Sequence, residues 1–152
     1  MPLAAGAAAP SFTLPDAGTG AAVADPWRDG PLVLAFFKVS CPVCQMAAPK
    51  VQALAQGGAR VLAVGQDPPD KLAAYAARHG QRVPTVTEPA PYLVSSAYAI
   101  TAVPTLFLVG ADGVIADAVG AWDRARWNAL AVAAGGRAVS TDGDGLPAFR
   151  PG

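Results

Sequence analysis

The sequence predicts an α/β protein whose mixed central β-sheet is flanked by helices. Strand patterns and helix patterns alternate along most of the chain, which is typical of this class. The run Leu32–Phe37 is apolar at all six positions, as a central strand covered on both faces requires. The turn Ala111-Asp112-Gly113 lies between two apolar runs and predicts an antiparallel hairpin. With 152 residues, of which 53% are apolar, the chain can bury one substantial core.

The first half of the chain predicts a strand–helix–strand unit. Leu32–Phe37 and Arg60–Gly65 are apolar runs of strand length. A helix is expected between them, from Cys44 to about Gln56, with Pro49 inside it and a Gly-Gly pair as its stop. A short edge strand is expected before this unit, at Ser11–Leu14.

The second half predicts two helices, a hairpin and a last helix. Leu72 and Tyr75 recur at helical spacing, and Gly80 ends that helix. Asp123 suits the N-cap of the last helix. The expected bounds are helix 69–79, a shorter helix 92–98, strands 105–109 and 114–119, and a last helix that ends near residue 134, with a further strand beginning after Pro84.

One folded domain is expected over residues 11–136, between a flexible N-terminus, residues 1–10, and a flexible C-terminal tail, residues 137–152. Asp, Gly and Pro dominate from Ser140 onward, and such a composition buries little apolar surface. Trp27, Trp122 and Trp127 are predicted to anchor the core.

Composition argues against several classes of partner. The formal net charge is +0, only 14% of the residues are charged, and the basic residues are scattered, so neither a nucleic acid nor a membrane surface is expected as a partner. No run of about eighteen apolar residues suggests a membrane span. Residues Met1 to Pro10 lack the charge and the apolar stretch of a signal peptide, so a cytoplasmic location is expected.

Both cysteines of the chain lie in Cys41-Pro42-Val43-Cys44, directly after the predicted central strand. A helix that begins here points its free N–H groups and the positive end of its dipole at the first sulfur, which stabilises a thiolate. The second sulfur lies about one helical turn away, where it can attack a mixed disulfide formed by the first. The pattern therefore predicts a redox pair in which Cys41 is the nucleophile and Cys44 resolves the intermediate.

Two plainer interpretations of the cysteine pair compete with this one. Half of a zinc site would need further ligands, but the chain has no other cysteine and His79 is its only histidine, so no metal is expected. A structural disulfide is unfavourable in a reducing compartment. The chain has no nicotinamide or flavin motif, so no cofactor is expected and turnover would need an external thiol reductant or oxidant.

Two sequence blocks resemble the thioredoxin superfamily. The first is Phe36-Phe37 followed by Cys41-Pro42-Val43-Cys44 and Pro49, and the second is Ile100–Val109 with Val103-Pro104. The segment Ala9–Asp16 and the insert from Gln66 to Tyr98 are more similar to the redoxin branch, the peroxiredoxin-like and TlpA-like proteins labelled AhpC/TSA. The resemblance implies a thioredoxin-like fold, a cis Val103–Pro104 bond beside Cys41, and substrate contacts at Pro42, Val43, Val103 and Pro104.

Three positions depart from the family patterns. Ala35 stands where thioredoxins have a buried Asp, so Cys44 needs another base, and Glu88 and Asp67 near predicted strand ends are candidates. Lys38 stands where peroxiredoxins have the Thr that contacts peroxide, and Leu34 replaces the Pro of the same motif. Lys38 and Glu88 are candidates for tuning the ionisation of the cysteines.

The sequence thus predicts a thiol-disulfide oxidoreductase whose partners are protein or small-molecule disulfides. Two alternatives stay open. One is a peroxiredoxin-like peroxidase that reduces hydroperoxides through Cys41. The other is a redox-sensing or binding domain that does not turn over.

Overall fold

The structure, a computed structural model, describes all 152 residues and contains a mixed five-stranded sheet with helices on both faces. This confirms the predicted fold class. The helices are α1 (Pro42–Gln56), α2 (Pro69–His79), α3 (Leu93–Ala97), α4 (Arg124–Ala133) and one 3-10 turn (Pro26–Asp29). The strands are β1 (Thr13–Pro15), β2 (Ala22–Ala24), β3 (Leu32–Phe37), β4 (Val61–Gly65), β5 (Thr85–Thr87), β6 (Thr105–Val109), β7 (Ile115–Gly120), β8 (Trp122–Asp123) and β9 (Phe149–Arg150).

The strand order of the central sheet is β5-β4-β3-β6-β7. β3 pairs in parallel with β4 on one side and antiparallel with β6 on the other, and all six of its residues are buried as predicted. In the antiparallel register Phe36 lies opposite Thr105. The end of β3, which leads to Cys41, therefore lies beside the start of β6, which follows Pro104.

The sheet separates two apolar clusters. One cluster contains Cys44, Trp122 and Trp127, and its two indole rings lie 4.9 Å apart at 63°. The other lies on the opposite face and contains Trp27 and Tyr98. All three tryptophans are buried, which confirms their predicted place in the core.

Most differences from the predicted elements lie at their ends. α1 begins at Pro42 rather than Cys44, because Cys41 is its N-cap and Pro is well suited to the first helical position. The first strand comprises Thr13–Pro15 rather than 11–14. The two-residue strands β8 and β9 pair with each other and were not predicted, since so short a pattern carries no periodicity.

Both terminal segments contact the domain. Ala9 donates a backbone hydrogen bond of 2.8 Å to Gly113, and the Trp122 indole donates one of 2.7 Å to the Pro147 carbonyl. The expected flexibility of residues 1–10 and 137–152 stays a prediction. No helix here has both the length and the apolar character that crossing a bilayer demands.

Candidate active site

Cys41 is the N-cap residue of α1. Its backbone is extended, with φ −82° and ψ 117°, while its sulfur accepts a 3.3 Å hydrogen bond from the backbone N–H of Cys44. N–H groups in a first helical turn have no partner within the helix, so they are available to a side chain at the cap. The Cys41 thiol is half-buried and reachable from solvent, as a nucleophile requires.

The carbonyl of Val103 lies on the other side of the same sulfur. The Cys41 thiol donates to this oxygen over 3.4 Å, although the two residues are 62 positions apart in the chain. The pairing of β3 with β6 accounts for this approach, and the Val103–Pro104 bond is cis, as predicted. The thiol therefore lies between the first turn of α1 and the Val103 backbone.

Cys44 has a different environment from Cys41. Its side chain is 2% exposed and packs in the same apolar cluster as Ala35. Burial raises the pKa of the Cys44 thiol far above its ordinary value, and the hydrogen bond with Cys41 adds to this effect. Cys44 is thus a protonated, protected thiol in the resting protein.

The loop that carries Cys41 is fixed at Val39. The Asp67 carboxylate accepts a 3.0 Å hydrogen bond from the Val39 N–H, and the Gln45 amide donates one of 2.8 Å to the Val39 carbonyl. The N–H of Cys41 in turn donates to the Lys38 carbonyl over 3.2 Å. Asp67 therefore holds the backbone just before Cys41, and its hydrogen bond is made to Val39 rather than to Cys44.

No hydrogen bond or ion pair joins the side chain of Glu88 or Lys38 to either cysteine, although the Lys38 backbone contacts both. Glu88 is 1% exposed, and its two oxygens accept hydrogen bonds of 2.8 and 2.6 Å from the N–H and the hydroxyl of Ser95. Lys38 is exposed and makes no ion pair. The side-chain roles predicted for both residues in cysteine ionisation stay predictions, since only the Lys38 backbone, which opposes the rise in the Cys44 pKa, acts on a cysteine.

The four predicted substrate contacts differ in their exposure. Pro42 is exposed and Val103 is half-buried, so both are accessible beside Cys41. Val43 is buried in the core at 6% exposure, and the Pro104 ring is buried as well. Pro42 and Val103 are therefore the less buried two of the four, whereas Val43 and Pro104 lie in the core, and substrate contact at these residues stays a prediction.

Tyr75 was not predicted to lie near the site. Its side chain is 4% exposed, its ring centroid lies 5.0 Å from that of Phe37, and its hydroxyl has no hydrogen-bond partner. Burial raises the pKa of the Tyr75 phenol, and negative charge on Cys44 or Cys41 would raise it further. The helical spacing of α2 predicted an inward Tyr75, but only the packing of α2 on α1 brings it towards the cysteines.

These features allow redox chemistry at a pair of thiols. An accessible thiol at a helix N-terminus can attack a sulfur or an oxygen, and a buried thiol one turn away can close a disulfide with it. No group of three or more His, Cys, Asp or Glu side chains is arranged so that it could hold a metal ion. The fold and the site together define a thioredoxin-fold protein with an accessible thiol and a buried thiol one helical turn apart.

The chain belongs to the AhpC/TSA family, since the sequence model of that family matches residues 5–118. This confirms the resemblance seen in the sequence. A comparison with curated proteins gave no match.

Solved structures with the same fold include thiol-disulfide oxidoreductases and a peroxidoxin. A putative thiol:disulfide interchange protein DsbE from Chlorobium tepidum is 25% identical, with 87% of this chain and 98% of that chain covered and a TM-score of 0.73. A putative protein disulfide isomerase from Bacteroides thetaiotaomicron is 20% identical over 88% of this chain and 91% of that chain, with a TM-score of 0.75. Peroxidoxin BcpB from Mycobacterium tuberculosis is 22% identical over 77% of this chain and 85% of that chain, with a TM-score of 0.64.

Proposed function

We propose that this protein reduces disulfides in other proteins. The observation that carries the proposal is the position of the Cys41 sulfur, half-exposed and 3.4 Å from the Val103 carbonyl. An extended substrate segment can pair with the backbone of Val103 as an added strand, and this pairing would hold a substrate disulfide against Cys41.

The reaction proceeds in two exchanges. The Cys41 thiolate attacks one sulfur of the substrate disulfide, the S–S bond breaks, and the other substrate sulfur leaves as a thiolate. Cys44 then attacks Cys41, which releases the first substrate sulfur and closes the Cys41–Cys44 bridge. The substrate gains two electrons and the protein loses two, which an external thiol reductant must restore.

Cys44 has to lose its proton before it attacks. The hydrogen bonds to the Asp67 and Glu88 carboxylates come from Val39 and Ser95, so no contact supports either of them as the base for this proton. The departing substrate thiolate is a base formed beside Cys44, but its ordinary pKa lies below the raised pKa of Cys44, so this proton transfer is uphill. We therefore expect the second exchange to be the slow one.

A trapping experiment tests the proposal. In a Cys44→Ser variant the mixed disulfide cannot be resolved, so incubation with insulin should give a covalent adduct on Cys41 that is visible by intact mass without reductant. The matched variant Cys41→Ser should give none, because its remaining thiol is buried. Equal adduct levels in the two variants, or none in either, would contradict the assignment of roles.

Peroxidase activity is the second candidate, and membership in the AhpC/TSA family favours it. The rate at which the reduced protein consumes hydrogen peroxide decides between the two. A rate close to that of a small free thiol supports disulfide reduction. A rate several orders of magnitude higher would make the protein a peroxidase despite Lys38 at the Thr position. If the Cys41–Cys44 disulfide forms but the protein turns over neither insulin nor hydrogen peroxide, the redox-sensing role is supported instead.

We also propose the cytoplasm as the working compartment. Both cysteines serve the redox pair and neither forms a structural bridge, as suits a reducing environment. Fractionation of the source cells with an antibody against the chain tests the location, and enrichment outside the cytoplasmic fraction would overturn it.

A further inference from the structure

The C-terminal segment, residues 137–152, runs along α4 and α1 towards Cys41. Arg124 at the start of α4 holds its middle part, since the guanidinium donates hydrogen bonds to Ser140, Asp142, Asp144 and the carbonyl of Leu146 over 2.8 to 3.4 Å. Only 13% of the Arg124 side chain is exposed, although its partner Asp142 is fully exposed, so the bonds to Ser140, Asp144 and Leu146 are the shielded ones. The middle of the segment is therefore fixed to the domain.

A second set of contacts ties the segment to the helix that carries the cysteines. Lys50 of α1 forms a 2.9 Å ion pair with Asp144. The Ser140 hydroxyl and the Lys50 ammonium together hold the pKa of the Asp144 carboxyl well below its usual range. The charge on Asp144 is therefore kept at all physiological pH values, and the segment is positioned along α1.

The last four residues, Phe149 to Gly152, reach the active site itself. The Arg150 guanidinium lies 3.9 Å from the sulfur of Met46, two positions after Cys44. Gly152 lies against the Val103 backbone, because a methyl group built on Gly152 would be 3.0 Å from the Val103 carbonyl carbon and would collide with its oxygen. The same Val103 oxygen accepts the hydrogen bond from the Cys41 thiol.

We propose that residues 149–152 occupy the substrate groove as an intramolecular strap, which a protein substrate must displace. This inference rests on the proposed function, because it takes the Val103 backbone as the docking edge. The strap leaves Cys41 half-exposed, so small reagents still reach the sulfur, whereas an extended polypeptide meets an occupied edge. The strap thereby restricts the site to substrates that bind well enough to replace it.

The strap is held less firmly than the rest of the segment. Its two-residue strand β9 pairs only with β8, and the Phe149 side chain is 57% exposed. Two-residue pairings with little buried apolar surface open at low free-energy cost. Release therefore involves residues 149–152, while the Arg124 contacts stay in place.

A Gly152→Val substitution tests the strap. The added side chain cannot fit against the Val103 carbonyl, so it should lift the strap without touching the core. Thr141→Val is the matched control, since position 141 is exposed in the same segment and lies outside the strap. We expect Gly152→Val to raise the rate of insulin reduction about fivefold, because the apparent rate scales with the fraction of molecules whose groove is open.

A second readout does not depend on disulfide reduction. Alkylation of Cys41 is measured with N-ethylmaleimide and with a bulky polymer-linked maleimide, in both variants and in the unaltered chain. We expect Gly152→Val to accelerate only the bulky reagent. If the bulky reagent reacts at the same rate in all three proteins, the strap proposal is wrong. If it is accelerated but insulin is never reduced, the strap stands and the proposed function fails.

Discussion

Glu88 is the buried carboxylate that the sequence offered as a base for Cys44, and its replacement separates a structural role from a catalytic one. Its two oxygens bind only the N–H and the hydroxyl of Ser95, and Gln66 donates a 3.0 Å bond to that hydroxyl. The substitutions Glu88→Ala and Glu88→Gln form the matched pair. Alanine removes both acceptors, whereas glutamine keeps one acceptor for the Ser95 N–H.

The expected losses in the free energy of unfolding follow from these hydrogen bonds. A hydrogen bond to a charged group contributes roughly 1.5 to 3 kcal/mol, so Glu88→Ala should lower the free energy of unfolding by about 3 to 5 kcal/mol. Glu88→Gln replaces two charged bonds with neutral ones and should cost about 1 to 2 kcal/mol. Urea unfolding followed by tryptophan fluorescence measures both values.

Activity gives the decisive comparison. Because Glu88 does not contact the cysteines, the insulin-reduction rate per folded molecule should stay within about twofold of the unaltered chain in both variants. A rate that falls about tenfold in Glu88→Gln, equivalent to about 1.4 kcal/mol, with little change in stability would refute the structural role and restore Glu88 as a base.

Three further predictions concern the core around the site. Tyr75→Phe removes a buried hydroxyl that has no partner and should leave the free energy of unfolding unchanged or raise it by up to about 1 kcal/mol in urea titrations; a loss above that would reveal a bond to the hydroxyl. Gly65→Ala places a methyl group 2.5 Å from Leu72 Cδ2 and 3.2 Å from Phe37 Cζ, so it should lower the unfolding free energy by about 1 to 3 kcal/mol. Adding Leu72→Ala should recover part of that loss in a double-mutant cycle, and strict additivity would argue against the clash. Because the pKa of Cys44 is raised on folding, its contribution to stability is complete below its ordinary value of 9.0 and is lost as the pH rises beyond it. Unfolding under reductant should therefore show a stability loss between pH 9 and 10 that is shallower in Cys44→Ala, and identical slopes would contradict the burial effect.

Much of the fold was readable from the sequence because its signals are local. The apolar run of β3, the Gly-Gly stop after α1 and the Asp123 cap of α4 each identify an element from neighbouring residues alone. The Asp123 carboxylate accepts a 3.1 Å bond from the Arg126 N–H, as the cap predicts. The cysteine pair and Val103-Pro104 were likewise recognised from short blocks of sequence.

The remaining features depend on packing between distant segments. The bond from Asp67 to Val39, the partners of Glu88 and the approach of Tyr75 to the cysteines are set by how helices and loops lie across the sheet. The C-terminal segment was the least predictable, because a Gly- and Asp-rich composition carries no periodic signal. Its contacts come instead from Arg124 and Trp122, which only the assembled domain brings to it.

The tryptophan pair gives the protein a built-in optical reporter. The Trp122 indole packs 4.9 Å from Trp127 on the cysteine face and also binds the Pro147 carbonyl, whereas Trp27 lies across the sheet. In a Trp27→Phe protein, emission would come only from the pair that the C-terminal segment covers. Loss of that hydrogen bond would change the local polarity around Trp122 and with it the emission maximum. An unchanged emission maximum during turnover would thus report that Pro147 stays in place while residues 149–152 are released, without any attached dye.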